Sequence, residues 1–200
     1  MPPKNEGNPV VRTWQDIEGW MDFPDVYAHE IERVPDAGIV VEVGCWCGRS
    51  TAFMADLVKT ADRGIQFWAV DHGWGNADKA ADACAGGVAA AGGNIAGKLV
   101  TNLRDCGVLD WVYPLIVPSV RAARLFADES IAFVFIDGNH TRESVLEDCA
   151  AWWPKIKPGG VMAGHDYDHH YLEVVGAIQQ FFGRDVPHPI RKTCWGVTKE

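Results

Sequence analysis

One junction constrains this chain more than any other. Ile39-Val40-Val41-Glu42-Val43 is a β-branched run broken by a single acid, and it stops at Gly44. Such a run reads as a strand buried on both faces. Gly48 follows, and beyond Ser50 the apolar residues Phe53, Met54, Leu57 and Val58 recur at helical spacing. Strand, glycine turn and helix make the first half of a βαβ unit. Glycine at 44 allows a sharp turn and admits a ligand close to the main chain. The helix behind it presents unpaired N–H groups in the same direction. A tight βα turn with no ligand satisfies the same local pattern.

Spacing excludes two nucleotide signatures. A P-loop needs G-x-x-x-x-G-K-[ST], but here the glycines stand one residue too close and Arg49 replaces the lysine. A dinucleotide fingerprint needs G-x-G-x-x-G, and Cys45, Trp46 and Cys47 fill that turn instead. What remains is an acid on the strand followed by G-x-x-x-G.

Bulk properties narrow the partners. Two hundred residues suit one domain spanning 1–200 with a full core. The net charge is −9 and no basic run occurs, so nucleic acid is disfavoured, since phosphate contacts dominate that affinity. No apolar run approaches the ~20 residues of a membrane span. Met1-Pro2-Pro3-Lys4-Asn5 leads into no signal-peptide core. The expectation is a cytoplasmic chain whose six cysteines are reduced core thiols; a zinc pair at Cys45 and Cys47 is the alternative.

Residues 1–12 read as a loose arm and 13–34 as a helical cap, with one helix from Thr13 to Trp20 and another from Asp25 to Val34. Trp14, Ile17, Trp20, Met21 and Phe23 give this cap an apolar surface, which suits a core cover, a lid over substrate or a homodimer face. A second strand, Ile65–Val70, ends in Asp71-His72-Gly73-Trp74. An acid there can accept both ribose hydroxyls of a nucleoside held over the first turn. His72 or Trp74 can lie against an adenine ring, although Trp74 reads equally well as a loop aromatic covering core. The Ala/Gly-rich stretch 75–98 reads as a helical or mobile insertion. Further strands are expected at Trp111–Val117 and Ile131–Ile136, with a helix from Ser119 to Phe126 between them. The strand 131–136 ends in Asp137-Gly138-Asn139-His140. The next helix carries the stripe Val145, Leu146, Cys149, Trp152 and Trp153. A glycine turn at 159–160 leads into Val161-Met162-Ala163, followed by Gly164-His165-Asp166-Tyr167-Asp168-His169-His170, whose last two histidines read as exposed loop. A helix Leu172–Phe182 and a β-pair, Val186–Lys192 with Cys194–Thr198, complete the chain.

Strands alternate with helices, so the sheet is expected to be mostly parallel with helices on both faces. Ligands then bind outside the carboxyl ends of the strands. The Gly44–Gly48 turn, Asp71, Ser119, Asp137, His140, His165 and Asp166 all fall on that one rim. With these residues in place the chain resembles the class I S-adenosylmethionine-dependent methyltransferases, in the branch of small-molecule O-methyltransferases. Glu42 to Ser50 is similar to the catechol-type motif I, and Phe135-Ile136-Asp137 to the strand ending in a metal-binding aspartate. Asp-Gly-x-His with Gly-His-Asp-Tyr is similar to the macrolide-sugar group.

The resemblance implies a Rossmann-like, doubly wound α/β fold with seven strands, the last antiparallel. It implies S-adenosyl-L-methionine bound by Glu42, Gly44, Cys45, Trp46, Gly48, Ser50, Asp71, His72, Trp74, Ser119 and Asp137. It implies a divalent metal, Mg²⁺ or a softer ion, on Asp137, His165 and Asp166. Hydrogen bonding without metal is the alternative. His140 stands where the catechol enzymes carry a catalytic lysine, and its ordinary pKa of about 6.5 suits a base at neutral pH. The expected reaction is O-methylation of a sugar, phenol or natural product. A nicotinamide oxidoreductase, a hydroxylase-like relative and a non-catalytic cofactor binder are the competing classes.

Overall fold

A computed structural model describes residues 12–76, 81–183, 186 and 193–200. Its centre is the expected run, now strand β1 (Ile39–Val43), flanked by β2 (Gln66–Val70) and β4 (Ile131–Ile136), both parallel to it. Strand β3 (Tyr113–Leu115) lies outside β2, and β5 (Ile156–Gly164) outside β4. Strand β6 (Trp195–Thr198) pairs antiparallel with β5, so the order is β3-β2-β1-β4-β5-β6. The chain winds outward from β1 to β3, then crosses to β4 on the other side. The β1/β4 gap is therefore the topological switch point, where open α/β sheets bind ligands.

Side chains alternate across the sheet with period two and feed two cores. Val40, Phe67, Ala69, Phe133 and Phe135 face one core. It is closed by helices α1 (Pro24–Arg33), α2 (Arg49–Ala61) and α4 (Ala96–Asp105). Val41, Val43, Val70, Val134, Ile136 and Met162 face the other. That core is closed by α5 (Ser119–Ala123), α6 (Arg142–Trp152) and α7 (Leu172–Phe182). Both faces of β1 and β4 are thus buried, which is why their sequences are almost unbroken in apolar residues.

Several expectations are corrected. The helix expected over Thr13–Trp20 shrinks to one 3₁₀ turn, Trp14–Asp16, tied by Thr13 N donating to Asp16 Oδ2 at 2.8 Å. Residues 17–23 continue as a non-helical strap, because Arg49 Nη1 takes the carbonyl oxygens of Ile17 (3.2 Å) and Gly19 (3.0 Å) that a helix would need. The third strand is trimmed to three residues around Pro114, which cannot donate to a ladder. Within 75–98, where the sequence reads as a helical or mobile insertion, the chain forms α3 (Ala81–Ala90). Six strands occur among the described residues. The seventh was expected at 186–192, of which all but Val186 lie outside them, as do residues 1–11 of the expected arm.

Candidate active site

Gly44 ends β1 at φ +89°, and a Cβ built on it would lie 2.0 Å from the carbonyl oxygen of Asp137. The glycine therefore first makes room for the end of β4, whose Asp137 N–H donates to Val43 O at 2.7 Å. Trp46 also sits at positive φ, +47°, an unusual state for a bulky residue. Asp71 holds this turn open: its Oδ2 accepts the N–H groups of Cys45 (2.9 Å) and Trp46 (3.0 Å), and its Oδ1 that of Gly73 (2.7 Å). A carboxylate offers about four acceptor positions. With three filled, Oδ1 keeps room for a further donor.

Glu42 lies beneath the turn, fully buried. It accepts hydrogen bonds from the Tyr27 hydroxyl (2.8 Å) and the Thr51 hydroxyl (2.5 Å). Burial raises its pKa to about 7, although hydrogen bonds from Ser50, Thr51 and Tyr27 favour the charged form. Glu42 thus supports the turn from below and does not line the cleft above it. Gly48 and Trp74 do not line it either. A Cβ at Gly48 would meet Leu99 Cδ1 at 2.6 Å, so that glycine serves helix packing. Trp74 is 62% exposed and stacks on His72, with centroids 5.3 Å apart.

The remaining expected residues — Gly44, Cys45, Trp46, Ser50, Asp71, His72, Ser119, Asp137, His140, His165 and Asp166 — share one cleft of about 980 Å³. At its reactive end His140 Nε2 lies 2.8 Å from Asp166 Oδ2. Asp137, His140 and Asp166 each bring a ligand atom within 4.8 Å of the others. The trio that converges therefore contains His140 in the place expected of His165. His165 Nδ1 approaches Asp166 Oδ2 (3.3 Å) and Asp137 Oδ1 (3.6 Å), while its Nε2 is taken by Asp22 Oδ1 at 2.8 Å. Burial opposes a charge on His165, but the hydrogen bonds to Asp137 and Asp166 outweigh it and push the pKa up to about 11. Burial likewise opposes ionisation of Asp166. Its hydrogen bonds from His140 and His165 win, and hold its carboxyl well below the usual carboxylate range.

Three features were not foreseen. Asp22 reaches from the strap to His165 and accepts from the Thr193 hydroxyl at 3.2 Å. Arg49 clamps the strap while lining the cleft. Asp148, on α6, is a buried carboxylate on the cleft wall beside Ser119, whose oxygen accepts Trp152 Nε1–H at 2.8 Å. A helix position flanked by Glu147 reads as solvated in sequence, and only the packing of α5 against α6 turns it inward.

Comparison with known proteins accords with this geometry. The O-methyltransferase NovP superposes with a TM-score of 0.68 at 18% identity, covering 88% of this chain and 78% of NovP. The calicheamicin methyltransferase CalS11 gives a TM-score of 0.63 at 18% identity, over 88% of this chain and 76% of CalS11. A putative rRNA methylase from Clostridium thermocellum gives 0.60 at 14% identity, over 92% of this chain and all of that one. Identities this low establish the fold alone. A methyltransferase-domain family, however, matches residues 41–167, from β1 through the loop after β5. The chain belongs to that family: it is a class I S-adenosylmethionine-dependent methyltransferase.

Proposed function

We propose that the methyl acceptor is a hydroxyl oxygen of a small polar molecule, a sugar, phenol or related natural product, and that its proton leaves at the Asp137–His140–Asp166 cluster. The observation that carries this reading is the 2.8 Å pairing of His140 Nε2 with Asp166 Oδ2, beside Asp137, at the switch point of the sheet. NovP is an O-methyltransferase and CalS11 a TDP-rhamnose 3'-O-methyltransferase, which favours sugars as the first acceptors to try. The net charge of −9 and the acidic rim argue against a nucleic-acid acceptor.

The cleft fits the cofactor. Its volume suits a nucleoside bearing an amino-acid arm. Asp71 Oδ1 has room for a ribose hydroxyl, and Gly44 leaves the floor bare. When bound, S-adenosylmethionine supplies an electrophilic methyl on a positively charged sulfur. The chain's own residues orient the acceptor and take its proton. His140 Nε2 lies 2.8 Å from Asp166 Oδ2, and this pair is the base nearest the strand ends. His165, carrying a positive charge, offsets the negative charge of Asp137 and Asp166, which would otherwise repel each other.

Asp137, His140 and Asp166 also form a donor set that fits a divalent ion. With an imidazole among the ligands, a transition ion suits it better than Mg²⁺. Such an ion would lower the pKa of the acceptor hydroxyl. The test is turnover with S-adenosylmethionine and a panel of sugars, phenols and amines, with and without chelator. Methylation of oxygen alone is expected. Transfer to amines and never to hydroxyls would overturn the reading, while full turnover in excess chelator would remove the ion and leave His140–Asp166 as the base.

A further inference from the structure

The loop between β5 and α7 carries three consecutive metal-ligating side chains, Asp168, His169 and His170, which take no part in the base cluster. Each brings one ligand atom within 4.8 Å of the other two. His170 Nδ1 lies 3.2 Å from Asp168 Oδ1, and the rings of His169 and His170 touch, with centroids 3.8 Å apart. Asp168 is partly buried and both histidines are exposed, so an ion reaches them directly from solvent.

Hydrogen bonds within the chain fix this turn. Tyr171 N donates to Asp168 O at 3.1 Å and closes it, while His170 N donates to Asp168 Oδ1 at 2.7 Å and orients the carboxylate. Beneath it Tyr167 is buried. Its N–H donates to Thr193 O at 2.9 Å, and its hydroxyl accepts from Gln179 Nε2, on α7, at 3.3 Å. The carboxylate is thus already in place, and only the two imidazoles lose rotamer freedom when an ion binds.

Two imidazoles and one carboxylate suit a transition ion, whereas Mg²⁺ and Ca²⁺ take oxygen ligands. Three protein ligands leave the remaining coordination position to water. We propose that Asp168, His169 and His170 bind one transition dication of the Zn²⁺ type, at a site separate from the Asp137–His140–Asp166 cluster. His170 lines the cleft, and the ring of the next residue, Tyr171, lies 5.0 Å from that of His140. The ion therefore fixes the His170 imidazole on the cleft wall, one residue from the side chain packed on the base. This assignment stands independently of the methyl acceptor and of the route its proton takes.

The test is calorimetric titration of the whole chain with Zn²⁺, beside a crystal soaked in Zn²⁺ and measured at the zinc absorption edge. An anomalous peak should lie among Asp168, His169 and His170, and Asp166→Asn, which disables the other cluster, should keep it. His169→Ala and His170→Ala should each weaken Zn²⁺ at this site at least about tenfold, since even the partners of a metal ligand are worth about 10–100-fold in affinity. Both histidines are exposed, so neither substitution threatens the fold. Asp168→Asn keeps an acceptor for the His170 N–H, and so the turn, and should weaken Zn²⁺ through the lost charge alone. Zn²⁺ held equally well by both histidine variants would be an adventitious surface ion and would overturn the proposal. So would the absence of a peak at the turn in wild-type protein, a result that needs no variant. Displacement of Zn²⁺ by about a hundredfold excess of Mg²⁺ would overturn the assignment to a transition ion.

Discussion

The floor of the cleft is made of main chain, and its roof is hung on side chains. On the floor, Gly44 N donates to Val70 O at 2.9 Å, Asp137 N to Val43 O at 2.7 Å and His165 N to Ile136 O at 3.1 Å. These bonds extend the sheet ladder beyond the strand ends, and no side chain can rotate to release them. The roof is the strap of residues 17–23. It is held by Arg49 on two carbonyls, by Lys98 on Glu18 at 2.5 Å, and by Asp22 on His165 and Thr193. The Glu18–Lys98 pair is exposed, and pairs of that kind contribute roughly 0.2–1 kcal/mol each. Ile17 and Phe23 pin the two ends of the strap in the core, at 3% and 1% exposed, so only the residues between them can yield. The floor sets the chemistry, and the roof can yield to an acceptor.

The most damaging attack on this contrast is Gly44→Ala. Its Cβ would fall 2.0 Å from a backbone oxygen that cannot move without parting β1 from β4. A loss of about 4 kcal/mol or more is expected, at the extreme of single substitutions. Wild-type melting of that variant would show the floor to be pliable. Next is His140→Ala, which should slow turnover on the order of 10²–10⁴ fold while leaving S-adenosylhomocysteine affinity within about twofold. Asp71→Ala removes three backbone ties as well as a ligand contact. Calorimetry should find S-adenosylhomocysteine at least about tenfold weaker, each charge-assisted bond contributing roughly 1.5–3 kcal/mol; unchanged affinity would remove Asp71 from the site.

A subtler probe of the floor is pH. Glu42 holds its proton up to about pH 7 when folded, against an ordinary value of 4.5. Between those values the folded state binds more protons than the unfolded one, so stability falls as pH rises through that window. Melting temperature should decline from pH 5 to pH 7.5 in wild type and more shallowly in Glu42→Gln. The smallest effect is expected on the roof. Asp22→Asn should leave the melting temperature nearly unchanged and raise the acceptor KM a few fold, surface polar changes being typically within about 0.5 kcal/mol. A large drop in stability there would mean that the strap belongs to the floor after all.

The same division governs what could be read beforehand. Strands β1 and β4 and helices α2, α6 and α7 are legible because apolar spacing is local and each run is long enough to repeat. Collecting the acids at strand ends on one rim follows from α/β topology. The strap is not legible, because Trp14, Ile17 and Met21 suit a helix face and nothing nearby announces that Arg49 claims its carbonyls. Gly44 lines the cleft as its turn predicts, and its tightest neighbour is also the end of a strand more than ninety residues away in sequence. Asp148 and the exchange of His140 for His165 in the converging trio depend on distances of a few ångströms between separate elements, which no spacing rule encodes.

The two backbone bonds from Cys45 and Trp46 to Asp71 have a kinetic consequence. They hold the turn after β1 in its left-handed Trp46 conformation by contacts within the chain itself, so the ordering entropy of that turn is spent during folding and is not charged to ligand capture. Nucleosides should consequently dock without waiting for a rearrangement beneath them. Analogues that differ in one hydrogen bond would share similar association rates and part company in how long they stay.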